Sequence, residues 1–483
     1  MNPSILRVPI FWILLLSFAF RLVQLDAPIV GMHSWRQADT AAVARNFHEN
    51  GYDLLRPQID FGGAGPGYVD MEFPLYSYII AAAYEFTGVQ EWWGRLLSAL
   101  FWTALVAAMY DLVRWAAGRR IARWTAIFIA FLPLNLFYGR VFMPEPMLLA
   151  GMAGGLTLFR RALDSGKPGT LLASWACIAV ACLLKIPCLY IGLPLVWLAW
   201  WKHGWGFLRR PAIWAYAILL FAVVGAWYGH SHRLGQESGI SFGVFAYGSD
   251  KWGKWQLLTT WHYWNSVLFR SIAERHLAWG GLPLLVIGLF LPRREPRLHL
   301  FDAWLVAVLV YLLVVQGGNL AHEYYQLPVI LPGAFAMARG VDWLLHGTTR
   351  IRAVARMAAG LFLAAIVVVG GLRWVDYLGR EDPSQSSDWA LARHIAAHTE
   401  VAERGVFLND LNPTVMYLAH RKGWSAKRGD LTPTWLAARA REGAAFVAAP
   451  AAGVPDTVLT MGRAAWSADG DYLVLRFDEA YRE

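Results

Sequence analysis

Charge is scarce in this chain. Asp, Glu, Lys and Arg make up 16% of its 483 residues, where soluble domains carry about 25%. Apolar residues reach 57%, and there are 44 glycines besides. Together these exclude intrinsic disorder, and they exclude an ordinary soluble fold, which could not hide so much hydrocarbon from water. Cysteine is scarcer still. The three residues, Cys177, Cys182 and Cys188, share one apolar stretch and have neither CxxC nor zinc-type spacing, which removes a disulfide framework and a metal knuckle. No repeat recurs at solenoid periods. The net charge of +9 comes from short basic clusters between apolar runs. That distribution fits the loop bias of a membrane protein rather than a nucleic-acid-binding face.

What the chain does have is long apolar runs. Val8–Leu25 shows no small-residue cleavage site and reads as an uncleaved first span. Further runs lie near 95–115, 121–138, 146–160, 169–184, 186–201, 211–229, 279–292, 300–316, 324–344 and 354–373. About eleven transmembrane helices are expected, since each must cross ~30 Å of hydrocarbon. The basic clusters Arg114/Arg119/Arg120/Arg123, Arg160/Arg161/Lys167, Lys202/Arg209/Arg210, Arg293/Arg294/Arg297 and Arg350/Arg352/Arg356 then fall on one side, which the positive-inside rule makes cytoplasmic. The opposite face receives the outer loops 26–94 and 230–278, the turns Tyr138–Glu145 and Gly317–Tyr324, and the C-terminal tail. From 374 onward polar residues return and β-type runs appear at Gly405–Leu408, Ala444–Ala448, Val458–Met461 and Tyr472–Phe477. A membrane domain over 1–373 and a small extracytoplasmic α/β domain over 374–483 are expected.

The outer segments hold the chemistry that the spans lack. Asp39 stands in HSWRQADTAAVARNF at the start of a helical pattern, where it reads either as an N-cap or as a catalytic acid. Glu72 precedes Phe-Pro and an aromatic-rich amphipathic stretch, and reads otherwise as a solvated loop charge. Glu145 lies between Pro144 and Pro146 at the outer end of a span, with Arg140 five residues earlier. An acid at a membrane boundary is a functional candidate, the alternative being an exposed turn. Lys185 interrupts an apolar run near the outer surface and must pair or snorkel. His322 and Glu323 stand beside the aromatic pair Tyr324–Tyr325, of which the pair alone is an ordinary interfacial belt. Three carboxylates and several cations on one membrane face suit a reaction between a phosphate-bearing lipid donor and a hydroxyl or amine acceptor. Carboxylates accept a proton or hold a divalent ion, and cations stabilise a departing phosphate.

The segments HSWRQADTAAVARNF, MEFPLYSYIIAAAYEFTGVQEWWGRLLSALF, FMPEPM, LLKIP and HEYYQLPVILP, in this order, resemble the polytopic glycosyltransferases of the GT-C class. The branch they resemble contains protein O-mannosyltransferases and lipid A aminoarabinose transferases. The tail segment VMYLAHRKGW is similar to the soluble tail of many bacterial members. The chain departs from the family in having Ala38-Asp39-Thr40 where Asp-Glu is common, and Glu72-Phe73-Pro74-Leu75 in place of Glu-Lys-Pro-Pro. The resemblance implies a polyprenyl-phosphate monosaccharide donor, inverting transfer at the outer face of a bacterial inner membrane, and a glycan, lipid or protein acceptor. It implies catalytic roles for Asp39, Glu72 and Glu145. It places the departing lipid phosphate with Arg36, Arg140, Lys185, His322 and Tyr325. No cofactor is demanded, and a divalent metal is compatible with the carboxylates. Two other readings explain less. A multi-pass lipid or solute transporter accounts for the spans and Lys185 but not for acids gathered in outer loops, because transporters place polar groups near the midplane, often within repeats. A membrane scaffold accounts for the tail alone.

Overall fold

The structure is a computed structural model that describes residues 9–242, 251–347 and 352–482. Arg350 and residues 243–250 of the second outer loop lie outside the described residues. The chain divides into two compact units. One comprises Met1–Leu25, Arg95–His230 and Gly243–Asp376, and the other Asp26–Gly94, Ser231–Phe242 and Tyr377–Glu483.

The first unit is helical. Its helices approach one another through small residues: a Cβ on Gly151 would stand 2.7 Å from the Cys177 carbonyl oxygen, so Glu145–Ser165 and Pro168–Leu184 meet backbone to backbone. Close packing of this kind is how apolar helices associate where lipid tails are as apolar as they are. The Trp92–Phe131 helix is broken at Gly118, whose φ of 83° lies in the left-handed region that glycine adopts without a Cβ penalty. The break falls where the sequence separates two apolar runs. The run around Lys185 is also divided. Pro168–Leu184 ends at Lys185, whose backbone is extended, a 3₁₀ turn with Pro187 follows over Ile186–Ile191, and Gly192–His203 resumes the helix.

The expected apolar runs fall largely on helical backbone. Among the described residues, four helices are long and apolar enough to cross a membrane: Trp92–Phe131, Pro211–Ser238, Pro296–Val314 and Arg352–Gly379. Pro9–Arg21, Pro168–Leu184 and Gly281–Phe290 are apolar but shorter. Length and composition by themselves thus single out four helices among the described residues, and the run around Lys185 is shortened by its 3₁₀ turn.

The second unit is built on a five-stranded sheet. Its strands are β1 (Arg404–Leu408), β2 (Lys422–Ala426), β3 (Ala444–Pro450), β4 (Gly462–Trp466) and β5 (Tyr472–Phe477), in the order β2-β1-β3-β5-β4. β2, β1 and β3 are parallel, while β5 is antiparallel to both β3 and β4. Strand residues alternate between faces. Val406, Leu408, Val447, Leu473 and Leu475 pack with Leu436 and Ala440 of the Pro433–Arg441 helix. Phe407, Phe446, Ala448 and Val474 pack with Leu391, Ile395 and Met416 from the Ser387–His398 and Thr414–Ala419 helices. Two details differ from the sequence reading. Val458–Met461 is not a strand: Asp456–Leu459 forms a helical turn after Pro455, and the strand begins at Gly462. β2 is an additional strand, hidden by its polar sequence KGWSA.

The 26–94 loop folds with this sheet. It contributes the helices Ser34–Asn50 and Leu75–Thr87. Gly63 N–H donates to the Gly423 carbonyl at 2.8 Å, and Gly423 N–H donates to that of Asp60 at 3.0 Å. Arg45 Nη1 donates to the Tyr417 carbonyl at 3.0 Å, with its guanidinium 4.8 Å from the Tyr417 ring centroid.

Candidate active site: two charged clusters

The Ser34–Asn50 helix is polar in sequence yet buried from Arg36 through Phe47. Burying charge is costly unless each charge is paired, so its three buried ionisable residues can be compared. Arg36 makes an ion pair with Glu72 and lies 5.8 Å from the Phe242 ring centroid. Arg45 pairs with Asp60 at 2.5 Å, and Asn46 Nδ2 donates to the other Asp60 oxygen at 3.1 Å. Asp39 is the exception. It is 4% exposed, and its Oδ1 is buried with no hydrogen-bond partner among the described residues. Burial drives its pKa up to about 8, the nearby Arg36 charge lowering it and Asp60 raising it. The capping alternative does not hold. The helix begins at Ser34 with His33 as N-cap, so Asp39 sits in the second turn and caps nothing. Helix position is held by hydroxyls: Thr40 Oγ1 donates to the Arg36 carbonyl at 2.9 Å, and Ser77 Oγ of the neighbouring helix donates to that of Thr40 at 2.8 Å.

A residue that the sequence did not single out fixes the extended segment leading to Glu72. Asp70 is 1% exposed and accepts from Ser231 Oγ and Ser241 Oγ, each at 2.7 Å. Ser231 Oγ also accepts from Met71 N–H at 2.9 Å. These partners lie more than 150 residues away in sequence, so no local signal marks them. Asp70→Ala is expected to lower the stability of this unit by about 3 kcal/mol, since hydrogen bonds to charged groups contribute ~1.5–3 kcal/mol each. Asp70→Asn, which keeps an acceptor, is expected to cost less. Thermal denaturation of the two variants in detergent checks the order.

The second cluster belongs to the helical unit. Glu145 opens the Glu145–Ser165 helix behind Pro144, with Pro146 next to it. A carboxylate in the first turn is favoured by the helix dipole. It is 2% exposed. Its Oε1 accepts from Lys185 Nζ at 2.5 Å, while its Oε2 is buried without a hydrogen-bond partner among the described residues. Pairing, rather than snorkelling alone, therefore accommodates Lys185. The ammonium also lies 4.7 and 4.5 Å from the ring centroids of Tyr324 and Tyr325, within cation–π range. Glu145, Lys185, Tyr190, Tyr311, Tyr324 and Tyr325 line one small pocket, with Leu148, Pro187 and Leu327 among its apolar wall residues. His322 stacks against Tyr324, ring centroids 5.2 Å apart. Glu323 faces elsewhere, accepting from Tyr138 Oη at 3.1 Å. Arg140 is fully buried. It donates to the Gln24 carbonyl at 2.8 Å and is not among the residues lining the pocket.

Among the described residues no group of three or more His, Cys, Asp or Glu is placed to hold a metal ion. The sequence candidates thus fall into two sets: Arg36, Asp39 and Glu72 in one unit, and Glu145, Lys185, His322 and Tyr325 in the other.

The fold is that of the GT-C membrane glycosyltransferases. The chain superposes on ArnT from Cupriavidus metallidurans, determined bound to undecaprenyl phosphate, with a TM-score of 0.68 and 16% identity over 98% of each chain. The oligosaccharyltransferase AglB from Archaeoglobus fulgidus, in complex with an inhibitory peptide and a dolichol-phosphate, gives 0.58 and 11% identity over 97% of this chain and 74% of its own. More particularly, residues 71–228 match the family model of dolichyl-phosphate-mannose-protein mannosyltransferases. No curated protein matches the chain. The resemblance read from the sequence is supported on both counts, and with it the enzyme class, a glycosyltransferase.

Proposed function

We propose that the protein moves a monosaccharide from a polyprenyl-phosphate donor to an acceptor at the extracytoplasmic face of a bacterial inner membrane, with inversion at the anomeric carbon. The observation that carries this reading is Asp39, a buried carboxyl whose Oδ1 has no hydrogen-bond partner among the described residues, in a chain whose fold is shared with a structure bound to undecaprenyl phosphate. A general base works best with a pKa near the operating pH, and burial brings Asp39 to about 8. In the proposed reaction Asp39 takes the proton of the acceptor hydroxyl or amine. The acceptor atom bonds to the anomeric carbon, and the bond from that carbon to the phosphate oxygen breaks with its electrons going to the lipid phosphate. Positive charge develops on the sugar in such a transition state.

Glu72 holds Arg36, and Glu145 holds Lys185. Lys185 receives the departing phosphate, with His322 and Tyr325 around it. Arg140 is buried, donates to the Gln24 carbonyl and does not line the Lys185 pocket, and we assign it a structural role instead of a phosphate contact. No step is routed through a metal. The long apolar helices and the charge bias of the loops support a multi-pass protein, read here with about eleven spans over 1–373 and with both clusters' chemistry on the outer side. Residues 374–483 are auxiliary and bear on the choice of glycan, lipid or protein acceptor. The transporter alternative draws on Lys185 as an intramembrane charge, and the Glu145 pair accounts for that charge without translocation.

The test is purified full-length protein in detergent, supplied with polyprenyl-phosphate sugars and membrane extract as acceptor source. Loss of one sugar-bearing lipid with stoichiometric release of polyprenyl phosphate is the expected result. If none is consumed, the reading is wrong.

A further inference from the structure

The short helix Gln316–Ala321 and the 3₁₀ segment Glu323–Val329 after it carry three amides: Gln316, Asn319 and Gln326. All are buried, at 0, 1 and 1% exposure. Buried amides are ordinarily satisfied, because each orphaned donor or acceptor forfeits the water it left behind. Here both the Nε2 and Oε1 of Gln316, the Oδ1 of Asn319 and the Oε1 of Gln326 have no hydrogen-bond partner among the described residues. The remaining amide nitrogens are committed locally. Asn319 Nδ2 donates to the Val315 carbonyl at 2.8 Å, and Gln326 Nε2 donates to that of Asn319 at 2.6 Å. These two bonds hold the turn in one shape while leaving its carbonyl acceptors open.

The turn adjoins the pocket that contains Lys185. A Cβ on Gly318 would lie 2.9 Å from the Tyr325 ring, so the amide-bearing turn rests directly on that ring, and Tyr325 lines the pocket. An unpaired primary amide offers two donors and an acceptor, and an unpaired amide oxygen offers a further acceptor. That set matches neutral hydroxyls, which both donate and accept. It matches a phosphate poorly, because amide oxygens repel it.

We propose that Gln316, Asn319 and Gln326 form a subsite that reads the hydroxyls of the donor's sugar, beside Tyr325 of the Lys185 pocket. The inference rests on the donor being a polyprenyl-phosphate sugar, as proposed above. It makes Gln316 the main specificity residue, because both ends of its amide are open. It also accounts for keeping three costly amides in an apolar setting. Sites built to hydrogen-bond a substrate hydroxyl discriminate strongly, since a wrong substrate leaves buried polar groups unpaired.

Gln316→Met keeps side-chain length and removes the two open polar atoms. Full-length protein is compared with this variant for thermal stability, for affinity toward bare undecaprenyl phosphate, and for affinity toward undecaprenyl-phosphate mannose and undecaprenyl-phosphate aminoarabinose. The subsite predicts an unchanged or higher melting temperature, unchanged affinity for the bare lipid, and loss of about tenfold in the preference for the better sugar-bearing lipid over the bare one. Asn319→Ala, at the same turn, is expected to lose preference in the same direction. A lower melting temperature with sugar preference intact would assign the amides to buried water and structure, and would overturn the subsite. If wild-type protein prefers neither sugar-bearing lipid over the bare one and transfers neither sugar, the subsite fails as well. Consumption of a sugar donor by wild type, with Gln316→Met indistinguishable from it, removes the subsite and leaves the transferase reading standing.

Discussion

Lys185→Met is expected to cost the protein both stability and its hold on the lipid phosphate. The two losses have separate causes. Glu145 is 2% exposed and already has one oxygen without a hydrogen-bond partner among the described residues. Removing the ammonium that meets its other oxygen at 2.5 Å leaves a buried carboxylate alone. Breaking such a pair costs about 3–5 kcal/mol. The phosphate loss comes from the missing cation itself, since charge-assisted hydrogen bonds contribute ~1.5–3 kcal/mol, or roughly 10- to 100-fold in affinity. A double variant, Lys185→Met with Glu145→Gln, separates the two. It no longer buries an unpaired charge, so most of the melting temperature returns, while affinity for undecaprenyl phosphate stays low. Thermal denaturation and lipid-phosphate binding on the single and double variants give both readings. If the double variant binds the lipid phosphate as wild type does, Lys185 serves structure and not the donor.

The sequence exposes this site unevenly, for physical reasons. Composition and the order of charged motifs are enough to show a membrane protein with acids concentrated outside its apolar runs. Asp39, Glu145 and Lys185 stand out because ionisable groups are costly near hydrocarbon. Their state is not legible. Glu145 and Lys185 are forty residues apart, and only the packing of two helices shows that one answers the other. At Asp39 the sequence pattern allows a helix start and a capping role, and the true start at Ser34 removes it. Asp70 looks like any loop acid because its serine partners come from a distant segment. Gln316 is neutral and sits among glycines, so nothing in its neighbourhood signals an unpaired buried amide. In the tail, alternating apolar strands such as Tyr472–Phe477 are readable. β2 is not, because its pairing with β1 is made by backbone bonds that a sequence of Lys, Gly and Ser does not advertise.

Asp39→Asn is expected to reduce turnover by about 10²–10⁴-fold, the usual contribution of a general base. Asparagine keeps the size and the hydrogen-bonding capacity of the side chain and removes the ability to take a proton. Burial has already raised the folded-state pKa to about 8 from an ordinary 3.8. The native protein therefore holds this proton more tightly than the unfolded chain does, and stability falls as pH rises between about 4 and 8. Asp39→Asn removes that slope, so the variant is expected to be at least as stable as wild type at pH 8. Activity runs the other way. The basic form of Asp39 accumulates with pH, so the wild-type rate is expected to climb roughly tenfold per pH unit below about 8 and to level off above it. Donor affinity is expected to survive the substitution, because an anionic lipid phosphate gains nothing from a carboxylate.

Turnover and donor affinity of folded Asp39→Asn protein in detergent, beside wild type at pH 8, test Asp39 as the base of a lipid-phosphate glycosyltransferase most directly. Turnover is expected to be lower by about 10²–10⁴-fold with donor affinity retained, and near-normal turnover in the variant excludes Asp39 as the base.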